Sequence, residues 1–252
     1  MKKWTAWLIM LFFVLTVQGC KKEINLEPQD YFEGAQLAIA RDIYDGNLPA
    51  LEKKLAGVDK SILNQKAKAE MTLLFWALSN SIGDKTTPER LQIVTALVKA
   101  GADPLLPQGN MDGSPAEFVM KGERSVWLKA ILDGGLSPNA RDETHNEPII
   151  FQSVWAKNTE TLKLMLDYGA DIDIRNSLQQ TVLMAAFFSS SFEHMELLIN
   201  RGANPNPVDI NNLSLLQLVK MKVQDTKESS EYNVKCRKIL SMLYQHGAAE
   251  SQ

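Results

Sequence analysis

The sequence has very little cysteine, little histidine and almost no excess of either charge. Of 252 residues, two are cysteine (Cys20 and Cys236), three are histidine, and the net charge is −3. Two cysteines cannot form the framework that staples small secreted folds. With 27 Lys and Arg against 30 Asp and Glu, the chain lacks the basic excess that marks nucleic-acid binders, so no nucleic-acid partner is expected. The patterns G-x-S-x-G, H-E-x-x-H, the P-loop and paired metal-binding cysteines are all missing. The chain therefore reads as a non-enzyme without cofactor or metal. Asp171 and Asp173 alternate with Ile172 and Ile174, but the twelve-residue calcium pattern is absent. The one long apolar run, Trp4 to Val17, is shorter than the roughly 20 residues a spanning helix needs.

What is present begins with that run. Lys2 and Lys3 precede it and Val17-Gln18-Gly19-Cys20 follows, the order of an export signal. The last four residues resemble the bacterial lipobox. The resemblance implies cleavage before Cys20 and lipidation of its thiol, and Lys21 in place of Asp implies the outer membrane, facing the periplasm. Residues 1–19 are then a lipoprotein signal peptide and 20–29 a lipidated cysteine with a short polar tether. Cys236 is left without a partner and sits in a helical apolar pattern, as a packed core thiol.

The rest, residues 30–252, repeats one phrase. A glycine-led stop recurs as Gly101-Ala102-Asp103, Gly135-Leu136-Ser137, Gly169-Ala170-Asp171 and Gly202-Ala203-Asn204, its glycines spaced 34, 34 and 33 residues. An opening phrase recurs at Thr72-Leu73-Leu74, Ser114-Pro115-Ala116, Glu147-Pro148-Ile149, Thr181-Val182-Leu183 and Ser214-Leu215-Leu216, with spacings of 33, 34 and 33 from Ser114 onward. Thr, Ser or Glu at the opening suits a helix N-terminus, Pro just inside it loses no needed N–H, and Gly after the second helix can take the left-handed conformation that ends it. Leu162, Met165 and Leu166 lie at helical spacing on a face that only stacked neighbours can bury.

A period near 33 with two helices and a turn resembles the ankyrin family. The resemblance implies an all-α ankyrin-repeat solenoid of about six helix-turn-helix repeats with β-hairpin-like fingers, at about 30–64, 69–102, 114–139, 147–173, 181–206 and 214–249. The first repeat is atypical, with Val58 to Asn64 in place of the stop. The second carries a long turn, Asn80 to Pro88. The third to fifth read as regular. The sixth carries a polar insertion, Val223 to Glu231, expected as a surface loop.

In ankyrin arrays the fingers and first helices usually form the partner-binding face. The finger tips are then Gln108 to Asp112, Arg141 to Asn146, Arg175 to Gln180 and Asp209 to Asn212. Asp112, His145, Gln179 and Asn212 replace the family's tip glycine. Phe118, Phe151, Trp155, Phe187 and Phe188 are groove aromatics, of which two or three are expected in the core. The expected partner-binding set is Asp112, Arg141, Glu143, His145, Arg175, Gln179, Asn212, Trp155 and Phe188, since aromatics and Arg are common anchors. An ankyrin lipoprotein of this size resembles the immunity proteins that neutralise type VI secretion phospholipase effectors. That implies a secreted phospholipase toxin as protein partner and a lipid anchor in the membrane. The alternative is a periplasmic ankyrin adaptor that tethers or stabilises an envelope enzyme.

Overall fold

The computed structural model describes residues 26–109 and 113–250. Cys20 and the signal segment lie outside the described residues. The chain forms two compact units: one holds residues up to Ala116 together with Asp133–Leu136, the other Glu117–Leu132 and everything from Ser137. Helices follow one another in pairs. They are α1 (Gly34–Asp45), α2 (Leu48–Leu55), α3 (Lys60–Asn64), α4 (Leu73–Ser79), α5 (Pro88–Ala100), α6 (Pro115–Met120), α7 (Val126–Asp133), α8 (Glu160–Asp167), α9 (Val182–Phe188), α10 (Phe192–Asn200), α11 (Leu215–Asp225) and α12 (Glu231–Gln245). A 3-10 segment, Ile149–Trp155, stands between α7 and α8. No described helix is long and apolar enough to cross a membrane. Among the described residues the fingers pair only through isolated bridges, Arg141 with Pro148, Arg175 with Thr181 and Val208 with Ser214.

In the first unit the apolar faces of α1, α2, α4 and α5 bury Ile39, Ile43, Leu51, Leu73, Trp76, Ile93 and Leu97. Trp76 is the centre. Its Nε1 donates to the Ala40 carbonyl at 3.1 Å, and the rings of Tyr31, Phe32 and Tyr44 lie 5.6, 5.7 and 6.2 Å away. The end of α1 leaves carbonyls without helical donors. Arg90 of α5 supplies them, donating to Ile43 and Tyr44 at 3.2 and 2.9 Å and also to Asn80 at 3.0 Å. Gly101 ends α5 at φ +107, and a Cβ there would also meet the Lys60 side chain at 2.8 Å. The segment expected as a replaced stop folds instead as α3. Asp59 caps it through the Ser61 N–H at 2.8 Å.

In the second unit the same logic runs through α8 to α12. Leu162, Met165, Leu183, Met195, Leu198, Leu216, Cys236 and Leu243 are fully buried. Leu166 is only half-buried, so the inward stripe of α8 is Leu162 and Met165. The first helices start on side-chain caps, which accept N–H groups the helix leaves free. Thr181 accepts from Met184 N, and Ser214 accepts from Gln217 N while Gln217 accepts from Ser214 N.

One clasp is repeated between neighbouring repeats. Asn64 donates to the Gly101 carbonyl at 3.0 Å and accepts from Asp103 N at 2.8 Å. Asn139 treats Gly169 and Asp171 likewise, at 3.3 and 2.8 Å. Asn206 does so with Gly247 and Ala249, at 3.1 and 2.8 Å. At the corresponding place between α8 and α10 stands Asp173, which accepts from Asn204 N at 2.9 Å and, as a carboxylate, has no proton to donate.

Two further expectations hold only in part, for identifiable reasons. The fourth repeat is not regular. Its finger spans one residue more than the next two: Asp142 N donates to Glu147 O, whereas Asn176 N reaches Gln180 O and Asp209 N reaches Leu213 O. The residue before the first helix is consequently Pro148, not Glu147, and the true spacings from Ser114 are 34, 33 and 33. Pro148 offers no side-chain cap. The segment that follows carries Ile149, Ile150 and Val154, and Ser153 Oγ donates to the Ile150 carbonyl at 2.6 Å. β-Branching and that competing bond disfavour an α-helix, and the chain winds as 3-10. The expected surface loop at Val223 to Glu231 is present but shorter, at 226–230, between α11 and α12. α11 continues to Asp225, and Asn233 of α12 closes the remaining turn by donating to Val223 O and Thr226 O at 2.7 and 3.1 Å.

Candidate partner-binding surface

Each finger of the second unit is folded by a carboxylate or carboxamide at its base. Asp142 accepts from the N–H groups of Thr144, His145 and Glu147 at 2.9, 2.5 and 2.9 Å. Asn176 accepts from Leu178 and Gln180 at 3.0 and 2.9 Å. Asp209 accepts from Asn211 and Leu213 at 2.8 and 3.0 Å, and the Leu213 N–H foremost holds its carboxyl below the usual carboxylate range. At the tips, Gln179 and Asn212 adopt left-handed backbone at φ +59, where glycine was expected to be replaced. In the longer finger the left-handed residue is Asn146 at φ +57, so His145 does not take the glycine's place. Asp112 lies outside the described residues.

The two predicted arginines do structural work first. Arg141 donates to Asn146 O in its own finger at 2.8 Å and to Arg175 O in the next at 3.1 Å. Arg175 repeats this one finger on, to Gln179 O at 2.6 Å and Val208 O at 2.8 Å. Their guanidinium groups are engaged with backbone. Between these fingers lies an open cavity of about 650 Å³ lined by Arg141, His145, Asn146, Asp173, Arg175 and Gln179 among others. His145 is exposed on it, and Glu143 is exposed in the same finger. The fingers are tied tip to tip by Ile210 N donating to Leu178 O at 2.9 Å.

The first helices present something the charge reading did not emphasise. Trp155, Phe188 and Met221 each stand seven residues after the residue that opens their repeat, namely Pro148, Thr181 and Ser214. They are 65%, 52% and 51% exposed. Large apolar side chains exposed at one repeat position in three successive repeats form a row, not a scatter. The same position in the third repeat is Lys121, which is exposed. Four residues after the opening, the half-buried Phe118, Gln152, Ala185 and Leu218 underlie the row. Of the five aromatics named from sequence, Phe187 is buried, Phe118 and Phe151 are half-buried, and Trp155 and Phe188 are the exposed pair. On the finger side, Leu178 and Ile210 are also exposed. Met221, Leu178 and Ile210 were not singled out from sequence. Counting seven from each opening residue would have found Met221; the tip leucine and isoleucine carry no such signal.

Among the described residues no group of three His, Cys, Asp or Glu could hold a metal ion. His194 of α10 is buried, and among the described residues its Nε2 has no hydrogen-bond partner. Burial pushes its pKa down, against the smaller opposing pull of Asn158 and Ser153 backbone groups and of Glu193. Cys236 is a buried free thiol, held up mainly by that burial.

Paired short helices, capped openings, glycine stops and finger turns stacked at a 33-residue beat define a repeat scaffold whose exposed face is built for binding protein. The comparisons agree. Residues 119–209 match the family described as "Ankyrin repeats (3 copies)". An ankyrin repeat protein of Acanthamoeba polyphaga mimivirus is 33% identical over 111 residues, covering 41% of this chain and 68% of that one. Alpha-latrocrustotoxin of Latrodectus tredecimguttatus is 26% identical over 133 residues, 52% of this chain but 9% of the toxin. Among solved structures, the ankyrin repeat domain of Bcl-3 superposes with a TM-score of 0.55 at 22% identity, covering 82% of this chain and 97% of that one. An ankyrin repeat domain from Acinetobacter baumannii AYE gives 0.57 at 18%, covering 84% and 98%. The chain belongs to the ankyrin-repeat family, and its repeats are a protein–protein interaction module.

Proposed function

We propose that this chain is an envelope-anchored binding protein that neutralises a secreted phospholipase by holding it against the first-helix row and the finger tips. The observation that carries the binding surface is the exposed row Trp155, Phe188 and Met221. Such residues can supply the dry anchor cluster of an interface, with His145, Glu143, Gln179 and Asn212 as its polar rim. Arg141 and Arg175 contribute by keeping the fingers preformed, which lowers the ordering cost of association. The toxin-neutralising role is supported by resemblance in architecture to ankyrin immunity lipoproteins. Anchoring is supported by Val17-Gln18-Gly19-Cys20 behind a short apolar run, and the outer membrane by Lys21.

The test is protection. The whole chain is expressed in cells exposed to a periplasm-directed phospholipase encoded beside its gene. The wild type restores growth, and Phe188→Asp with Trp155→Ala loses protection while circular dichroism stays unchanged. Cys20→Ser removes acyl labelling and membrane fractionation. Full protection by the double variant would exclude the row. Capture of a resident envelope enzyme in place of a lipase would make the chain an adaptor.

A further inference from the structure

The apolar row has a spacing and a charged end, and both constrain what fits it. Its members sit one per repeat, on successive first elements, of which the 3-10 segment carrying Trp155 and α9 carrying Phe188 pack directly against each other. Packed helices lie roughly 8–10 Å apart, which sets the distance from rung to rung. A helix laid across the repeats advances about 1.5 Å per residue, so every seventh residue falls about 10.5 Å further on and on nearly the same side. An extended strand advances about 3.3 Å per residue and needs roughly three residues per rung. Its side chains alternate, so successive rungs would meet opposite faces of the strand. The row therefore matches a helix and mismatches a strand.

The end of the row adds direction. One repeat before Trp155 the rung is Lys121. Its helical neighbour Glu117 is largely buried and accepts the Gln152 amide at 3.1 Å, and the nearby Glu123 carboxylate is engaged by Lys157 at 2.5 Å. A partner that lays apolar residues on three rungs thus meets an ammonium on the fourth, where a carboxylate is favoured over a cation.

We infer that the row accepts an amphipathic helix of the partner, with apolar residues at three successive heptad positions and an Asp or Glu one heptad beyond, over Lys121. This rests on the proposed use of the row as the binding surface, and it narrows the partner to a helix-in-groove mode.

Peptide-display selection on the whole purified chain tests it, with the Phe188→Asp chain as counter-target. Enriched sequences are expected to carry apolar residues at i, i+7 and i+14 and an acid one heptad outside them. Their affinity falls at least tenfold on Phe188→Asp. Selection on Lys121→Glu is expected to replace the acid with Lys or Arg at the same heptad. Enriched sequences that depend on Phe188 but alternate apolar and polar residues, or keep the acid on Lys121→Glu, overturn the helix while leaving the surface. Binders indifferent to Phe188→Asp overturn the surface itself.

Discussion

Asn139 and Gly169 are joined by a single carboxamide that closes one repeat onto the next. Asn139 Nδ2 donates to the Gly169 carbonyl at 3.3 Å while its Oδ1 accepts from Asp171 N at 2.8 Å. Asn64 and Asn206 make the same two-point contact, and Asp173 makes only the accepting half. A missing donor at a repeated joint is a correctable defect. Asp173→Asn is expected to add a bond to the Gly202 carbonyl and stabilise the chain by about 0.5–1 kcal/mol, the net worth of one hydrogen bond. Asn139→Asp should cost a similar amount. Urea unfolding midpoints check both; an unchanged or lower midpoint for Asp173→Asn contradicts the clasp.

Pro148 should answer differently to substitution. Pro148→Ser places a hydroxyl where Thr181 and Ser214 carry theirs, and a cap contributes about 1 kcal/mol. Losing Pro also frees the unfolded chain, at a cost of about 0.4–1 kcal/mol. The two nearly cancel. The expected result is greater hydrogen-exchange protection over residues 151–155 with an unfolding midpoint shifted by less than about 0.5 kcal/mol equivalent. Unchanged protection would mean that the β-branched residues, not the missing cap, keep this segment 3-10.

The stapling arginines predict a stability effect that a pure binding role does not. Arg175→Ala removes bonds to Gln179 O and Val208 O. Both carbonyls are near solvent, so the loss should be about 1 kcal/mol, less than for a buried pair. Arg175→Lys should recover part of it, since both bonds leave the single nitrogen Nη1 and an ammonium also offers several donors from one atom. Thermal unfolding of the two variants decides; wild-type stability for Arg175→Ala would return this arginine to the partner alone.

His194 ties stability to pH. Its folded pKa lies below the ordinary 6.5 because burial disfavours the imidazolium. On acidification the unfolded chain therefore binds the proton first. The stabilisation is complete above about pH 6.5 and is lost as pH falls from there through the folded value. Urea midpoints should drop between pH 7 and 5.5, before most carboxylates titrate. His194→Gln should flatten that drop, and a drop of unchanged size in that variant would contradict the assignment.

The repeat architecture was legible because the glycine stops and opening residues keep a beat that local chemistry explains. α2 and the cap of α9 can be read almost residue by residue. What was not legible was the register of the finger at Asp142. Glu147-Pro148 imitates the family's Thr-Pro opening, and only the bond from Asp142 N to Glu147 O shows the extra residue. The arginines' structural use was not legible for a related reason. Exposure and charge suggest a partner, and the neighbouring finger's carbonyl is 34 residues away for Arg141 and 33 for Arg175. Leu166 passed as core because helical spacing marks a stripe without its width.

The clasps and staples share one property: each ends on backbone atoms of the adjoining repeat. Asn139 reads the carbonyl of Gly169 and the amide of Asp171; Arg175 reads the carbonyl of Val208 in the next finger. Such joints are blind to the side chains carried by the repeat they grip. Row residues such as Phe188 can be exchanged for others without loosening the joints that position them. The stack is thereby free to acquire a new binding specificity at little mechanical risk, one rung at a time.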